Sequence, residues 1–127
     1  AVDIQREMLM EIENTKASRK IKNVETIVGS QKSIQLPKNS VDKILMVDVY
    51  HEFEYPIEMI ASIKKALKPN GQLFLIEYRG EDQNVPIKKI HKMTEKQAVK
   101  EMKASGFKLK TNIENLPWQH CLIFEKK

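Results

Sequence analysis

Three histidines and two strand-end aspartates carry most of the chemistry that this sequence can offer. His51 is a general-base candidate, because an imidazole changes charge near neutral pH; the alternative is a hydrogen-bonding loop residue. His51-Glu52 opens like the zinc-protease helix H-E-x-x-H, but Tyr55 stands where the second histidine is required. His91 and His120 lie far apart in sequence and only one cysteine, Cys121, is present, so no spacing of a structural zinc site can be written and no metal is expected. Four glycines, at 29, 71, 80 and 106, compose neither G-x-G-x-x-G nor a phosphate loop. No G-x-S-x-G elbow supplies a nucleophilic serine. Asp3 is the residue type that accepts hydrogen bonds from ribose hydroxyls, or else caps the helix after it. Asp48 is either a site acid or a solvated strand end.

These residues need elements to place them. Ile4, Met8 and Ile12 are four apart, predicting a helix after the short strand Val2-Asp3. Val24 to Val28 predicts a strand ended by Gly29-Ser30, and Val41 to Val49 predicts another, whose apolar run from Ile44 to Val47 suits coverage on both faces. Pro56 starts a helix with Met59, Ile60, Ile63 and Leu67 as its stripe, and Lys68-Pro69-Asn70-Gly71 stops it. Leu73 to Ile76 is the most apolar strand and belongs at the sheet centre, with an irregular segment over residues 80–93 after it. Thr94 with Gln97 forms a capping box for a helix closed by Gly106. Phe107 to Ile113 and Cys121 to Phe124 are consecutive strands with no helix between them, which implies an antiparallel pair ending a mostly parallel sheet. In such an α/β sheet ligands bind beyond the carboxyl ends of the strands, so Asp3, Gly29-Ser30, Asp48 to His51 and Tyr78-Arg79 face one crevice.

At 127 residues with 41% hydrophobic side chains the chain makes one domain, residues 1–127, with a single modest core. The net charge of +5 comes from interspersed signs, and Lys64, Lys65, Lys68, Lys96, Lys100 and Lys103 sit beside carboxylates on helix surfaces. With aromatics at only 6%, a solvated face is the better reading and nucleic-acid binding the weaker one. No apolar stretch approaches the roughly 20 residues that span a bilayer, and no signal-peptide pattern opens the chain. Cys121, in an apolar run, reads as a small buried side chain in a reducing, cytoplasmic compartment.

Several motifs together resemble the class I S-adenosylmethionine-dependent methyltransferases, in family order from Ala1 to Lys127. Ala1-Val2-Asp3-Ile4-Gln5-Arg6-Glu7-Met8-Leu9 resembles the second strand and its helix. Leu36-Pro37-Lys38-Asn39-Ser40-Val41-Asp42 leading to Val47-Asp48-Val49-Tyr50-His51-Glu52-Phe53 resembles the fourth strand and its active-site end, and Leu67-Lys68-Pro69-Asn70-Gly71 resembles the L-K-P-G-G turn into strand five. Val85-Pro86-Ile87-Lys88, His91-Lys92-Met93-Thr94 and Leu116-Pro117-Trp118-Gln119-His120 look like a bacterial subgroup acting on small molecules. The resemblance implies an S-adenosylmethionine site of Asp3, Ile4, Gly29, Ser30, Gln31, Asp48 and Tyr50, with Tyr50 facing the sulfonium. It implies His51 and Asp48 at the reacting centre, and Arg79, His91, Trp118 and His120 in a small-molecule acceptor pocket, with core packing the competing role for Trp118. A non-catalytic interaction module is the alternative function.

The family's first strand, its D-x-G-x-G loop and the helix after it would all precede Ala1. In the family order 3-2-1-4-5-7-6 the first strand separates the strand of Asp3 from that of Asp48, so two unpaired edges are expected here. Either those strands pair directly, or a second copy lends a strand in a homodimer.

Overall fold

The computed structural model describes residues 1–127. Its elements run β1 (Val2–Asp3), α1 (Arg6–Arg19), β2 (Ile27–Val28), β3 (Val41–Val47), α2 (Pro56–Ala66), β4 (Leu67–Arg79), β5 (Lys92–Met93), α3 (Glu95–Ala104), β6 (Phe107–Asn112) and β7 (Gln119–Lys126). Single 3-10 turns stand at Tyr50–Glu52 and Lys89–His91. The α/β class with a mostly parallel sheet and an antiparallel end is as expected: β3 and β5 run parallel to β4, whereas β7 is antiparallel to both β4 and β6.

β4 is the central strand because its side chains alternate. Leu73 and Leu75 are fully buried in phase, and α2 and α3 cover that face with Ile60, Ile63, Ala98 and Met102. Each such side chain contributes about 1.5–3 kcal/mol by leaving water. Pro56 at the first turn of α2 lacks only an N–H that the helix does not use. The Lys68–Gly71 turn is absorbed as a bulge: Val41 pairs with Leu67 and Lys43 with Gln72, so the intervening residues loop out. A Cβ on Gly71 would stand 2.8 Å from Leu67 Cδ2 and 3.1 Å from the Asp42 carbonyl, so only glycine fits.

Several expectations are corrected. β3 is covered on one face, not both: Met46 is buried, but Leu45 and Val47 are 63% and 49% exposed, since α2 and α3 both pack on the Met46 side. The α1 stripe is also displaced; Leu9 is the buried residue, and Ile4 and Met8 are exposed. Only half of the capping box forms. Gln97 N–H donates to Thr94 Oγ1 at 3.1 Å, but the Gln97 amide turns to Glu101 rather than back to the Thr94 N–H, and Glu81 accepts the next N–H, that of Glu95. The helix stops at Ser105, with Gly106 after it at φ +85°. Cys121 is half-buried rather than buried.

The two expected unpaired edges are present, and they do not meet. β1 pairs only with β2, in a two-stranded sheet separate from the five-stranded one, and β3 pairs only with β4. Direct pairing of β1 with β3 is therefore corrected. The segment after β2 holds them apart: the Ile34 N–H donates to Ser62 Oγ on α2 at 3.1 Å, and Ile34 and Leu36 line the cleft that results. No helix is long and apolar enough to cross a membrane.

Candidate active site

The cleft between the two sheets measures about 520 Å³. Asp3, Ile4, Gly29, Ser30 and Gln31 line its side toward β1 and β2; Val49, Glu52 and Phe53 line its side beyond β3. Five of the residues expected to hold a cofactor are thus brought together at strand ends, as the topology requires. Asp3 combines its two readings, because Oδ1 accepts the Gln5 N–H at 2.8 Å where the helix begins and Oδ2 stays free.

Asp48 and Tyr50 lie apart from that cluster. Asp48 leaves β3 with φ +50°, its N–H donating to the Ile76 carbonyl at 2.8 Å, and its Oδ2 accepts from the Gln119 amide at 2.8 Å. Burial raises the Asp48 carboxyl above the usual range, against the pull of Gln119 and His51. Tyr50 is buried in the core, edge-on to Phe53, and donates its hydroxyl to Glu101 Oε2 on α3 at 2.7 Å. Burial and that carboxylate raise the phenol, which keeps its proton.

His51 stands on the turn after β3, and the residue that orders it escaped the sequence reading. Glu77 on β4 is fully buried; its Oε2 lies 2.7 Å from His51 Nδ1 and its Oε1 accepts the His51 backbone N–H at 3.3 Å. A carboxylate that close to Nδ1 orients the ring and turns Nε2 outward, where it lies 3.2 Å from Glu52 Oε1. Burial raises the Glu77 carboxyl, and the His51 contacts offset part of that. The signal was available: Glu77 is in phase with Leu73 and Leu75 on the buried face, where a charged residue requires a partner.

His120, paired in register with Glu77 across β4 and β7, repeats the motif. It is buried in phase with Leu122 and Phe124, and its Nε2 lies 3.1 Å from Glu81 Oε1, while its Nδ1 has no partner. Burial pushes the Glu81 carboxyl up, but the Glu95 N–H and His120 outweigh it and hold the group below its ordinary value.

His91 joins His51. β5 pairs with β4 just beyond the end of β3, Tyr78 opposite Lys92 and Arg79 opposite Met93, and this brings His91 Nδ1 to 3.3 Å from His51 Nε2. Arg79 is spent otherwise: its guanidinium donates to the carbonyls of Leu116 and Pro117 at 2.8 and 3.0 Å and pairs with Glu114 at 3.1 Å. It clamps the loop that carries Trp118, whose side chain is exposed. A second, smaller cavity of about 250 Å³ is lined by His51, Phe53, Ile90, Lys92 and Gln97, with Phe53 common to both cavities.

Known proteins share this fold. The family model described as a methyltransferase domain matches residues 1–75, more than half of the chain. The chain belongs to the methyltransferase-domain family. It is similar to an uncharacterized methyltransferase-like protein of Schizosaccharomyces pombe, 36% identical over 94 residues that make up 73% of this chain and 34% of that protein. Its fold matches a SAM-dependent methyltransferase of Aquifex aeolicus with a TM-score of 0.90 at 23% identity, covering 98% of this chain and 66% of that one. It also matches the trans-methyltransferase CalH, solved in complex with SAH, with a TM-score of 0.78 at 14% identity over 99% of this chain and 42% of that one. The chain therefore spans about a third of the curated relative.

Proposed function

We propose that the chain binds S-adenosylmethionine in the larger cleft and directs methyl transfer to a small-molecule acceptor held at the smaller cavity. The observation that carries this reading is the convergence of Asp3 and Gly29 to Gln31 on one side of a single cleft with Val49 and Glu52 on the other. The residues at the strand ends fit the cofactor's chemistry: Asp3 keeps one carboxylate oxygen for ribose hydroxyls, and the Gly29 to Gln31 turn stands beside it to take the base. Bound there, the cofactor supplies an electrophilic methyl group on a sulfonium.

The rest falls to the chain. Holding donor and acceptor in line contributes on the order of 7–11 kcal/mol to lowering the barrier. His51 Nε2, with Nδ1 fixed by Glu77, takes the proton of an acceptor hydroxyl, amine or thiol, a step worth about 10²–10⁴-fold. Asp48 holds the Gln119 amide beside this centre.

Melting the protein with and without S-adenosylmethionine tests the reading. Ligand at about 100 times its Kd stabilises by about 2.7 kcal/mol. For domains near this size that is roughly 2–8 °C per kcal/mol. Asp3→Ala should reduce the shift. An unchanged melting temperature at millimolar ligand would refute cofactor binding by this chain and favour a non-catalytic module.

A further inference from the structure

His51 Nε2, Glu52 Oε1 and His91 Nδ1 form a nearly equilateral triangle. Its edges are 3.2 Å from His51 to Glu52, 3.3 Å from His91 to Glu52 and 3.3 Å between the two ring nitrogens. From this geometry we infer a binding site for one divalent first-row transition-metal ion, held by His51, Glu52 and His91.

Three observations carry the inference. First, the spacing is that of a coordination shell: bonds of about 2.0–2.1 Å at tetrahedral angles put donor atoms about 3.3–3.4 Å apart. Second, the proton count leaves the triangle short. His51 Nε2 faces a carboxylate and another ring nitrogen, and even with a proton on each ring nitrogen the two N–H groups serve only the two edges to Glu52 and point two donors at each other across the third. A cation serves all three at once. Third, Glu77 supplies the outer carboxylate that metal-binding histidines ordinarily have. It is 0% exposed, engages Nδ1 so that Nε2 is the nitrogen turned into the triangle, and is not itself one of the three corners.

Two imidazoles and one carboxylate with open positions form a donor set for zinc or ferrous iron, not for magnesium or calcium. The open positions border both cavities, since Glu52 lines the larger and His51 the smaller. The other group of possible ligands, Glu95, Glu114 and His120, is already compensated: the Asn112 amide donates to both carboxylates, and Arg79 pairs with Glu114. The inference does not rest on methyl transfer. In the metal-free chain His51 Nε2 is available as a base, and in the loaded chain it is a ligand, so the melting test above is run in chelator and this one without S-adenosylmethionine.

The experiment is a titration of the chelator-stripped chain with Co²⁺, read by visible absorption and calorimetry, followed by competition with Zn²⁺. One equivalent should bind with a Kd of about 10 µM or tighter and produce the d–d band of a low-coordinate nitrogen and oxygen site without thiolate charge transfer. His91→Ala and Glu52→Gln should each weaken binding at least about tenfold, and Glu77→Gln by about 10–100-fold. His91 and Glu52 side chains are 39% and 59% exposed, so those two variants should keep the parent circular dichroism. Glu114→Gln should leave the Kd unchanged. Absence of stoichiometric binding, or binding that survives both His91→Ala and Glu52→Gln, would overturn the site.

Discussion

Asp48 combines a left-handed backbone with a partly buried carboxylate, and the two properties are testable apart. Aspartate and asparagine tolerate positive φ, whereas alanine pays about 1–2 kcal/mol for it. Asp48→Ala should therefore be less stable than Asp48→Gly by about 1 kcal/mol in urea melts, although alanine is ordinarily the better residue. The carboxylate gives a pH signature. Its folded pKa lies above its unfolded one, so as pH rises the unfolded chain ionises first and stability falls, reaching its full loss above the folded pKa. Asp48→Asn escapes that loss: its melting temperature relative to the parent should rise from about pH 3 toward neutrality, and a difference independent of pH would contradict it. Individual candidate residues were legible where strand ends expose them, as at Asp3 and His51. Glu77 was hidden by its own strand, because attention to the apolar run Leu73 to Ile76 passes over the charged residue that continues its buried phase.

Among the elements, β3 and β4 differ in how their two faces are covered. Leu75→Ala on β4 removes a fully buried side chain under α2 and α3 and should cost about 2–5 kcal/mol. Leu45→Ser on β3 removes one that is 63% exposed and should change stability by less than about 0.5 kcal/mol; chemical denaturation measures both. Reading the strands as apolar runs predicts similar losses, and that is where periodicity failed. A continuous run from Ile44 to Val47 satisfies a strand with two covered faces and one with a single covered face equally well. α2, α3 and β6 were readable because a stripe, a cap and the alternation of Phe107, Leu109, Thr111 and Ile113 each constrain a whole element. β5 was not: two residues carry no period, and Lys92–Met93 becomes a strand only because β4 extends past β3 and offers it an edge.

For the molecule as a whole, strand order was legible through the family resemblance, whereas the separation of β1 and β2 from the main sheet is a property of the three-dimensional chain. The two sheets share no ladder, so they need not open together. The amides of Ile27 and Gly29, which donate to Ala1 and Asp3, should exchange with deuterium faster than those of Leu75 and Leu122, and S-adenosylmethionine in the cleft should slow the first pair selectively. Equal protection at all four, with or without ligand, would mean that the chain behaves as one cooperative unit. The join between β4 and β5 bears on how such a protein diversifies. The Gly80 N–H donates to the Met93 carbonyl at 3.0 Å, closing the base of the segment from Glu81 to Lys92 like a clasp. Within a clasped loop, doubling the length costs only about 0.6 kcal/mol. Beyond Glu81, which is tied to His120 and to the Glu95 N–H, the sheet is thus insulated from rewriting of that segment; on the function proposed above, His91 travels inside it, so one exchangeable cassette would redirect the chain toward a new acceptor.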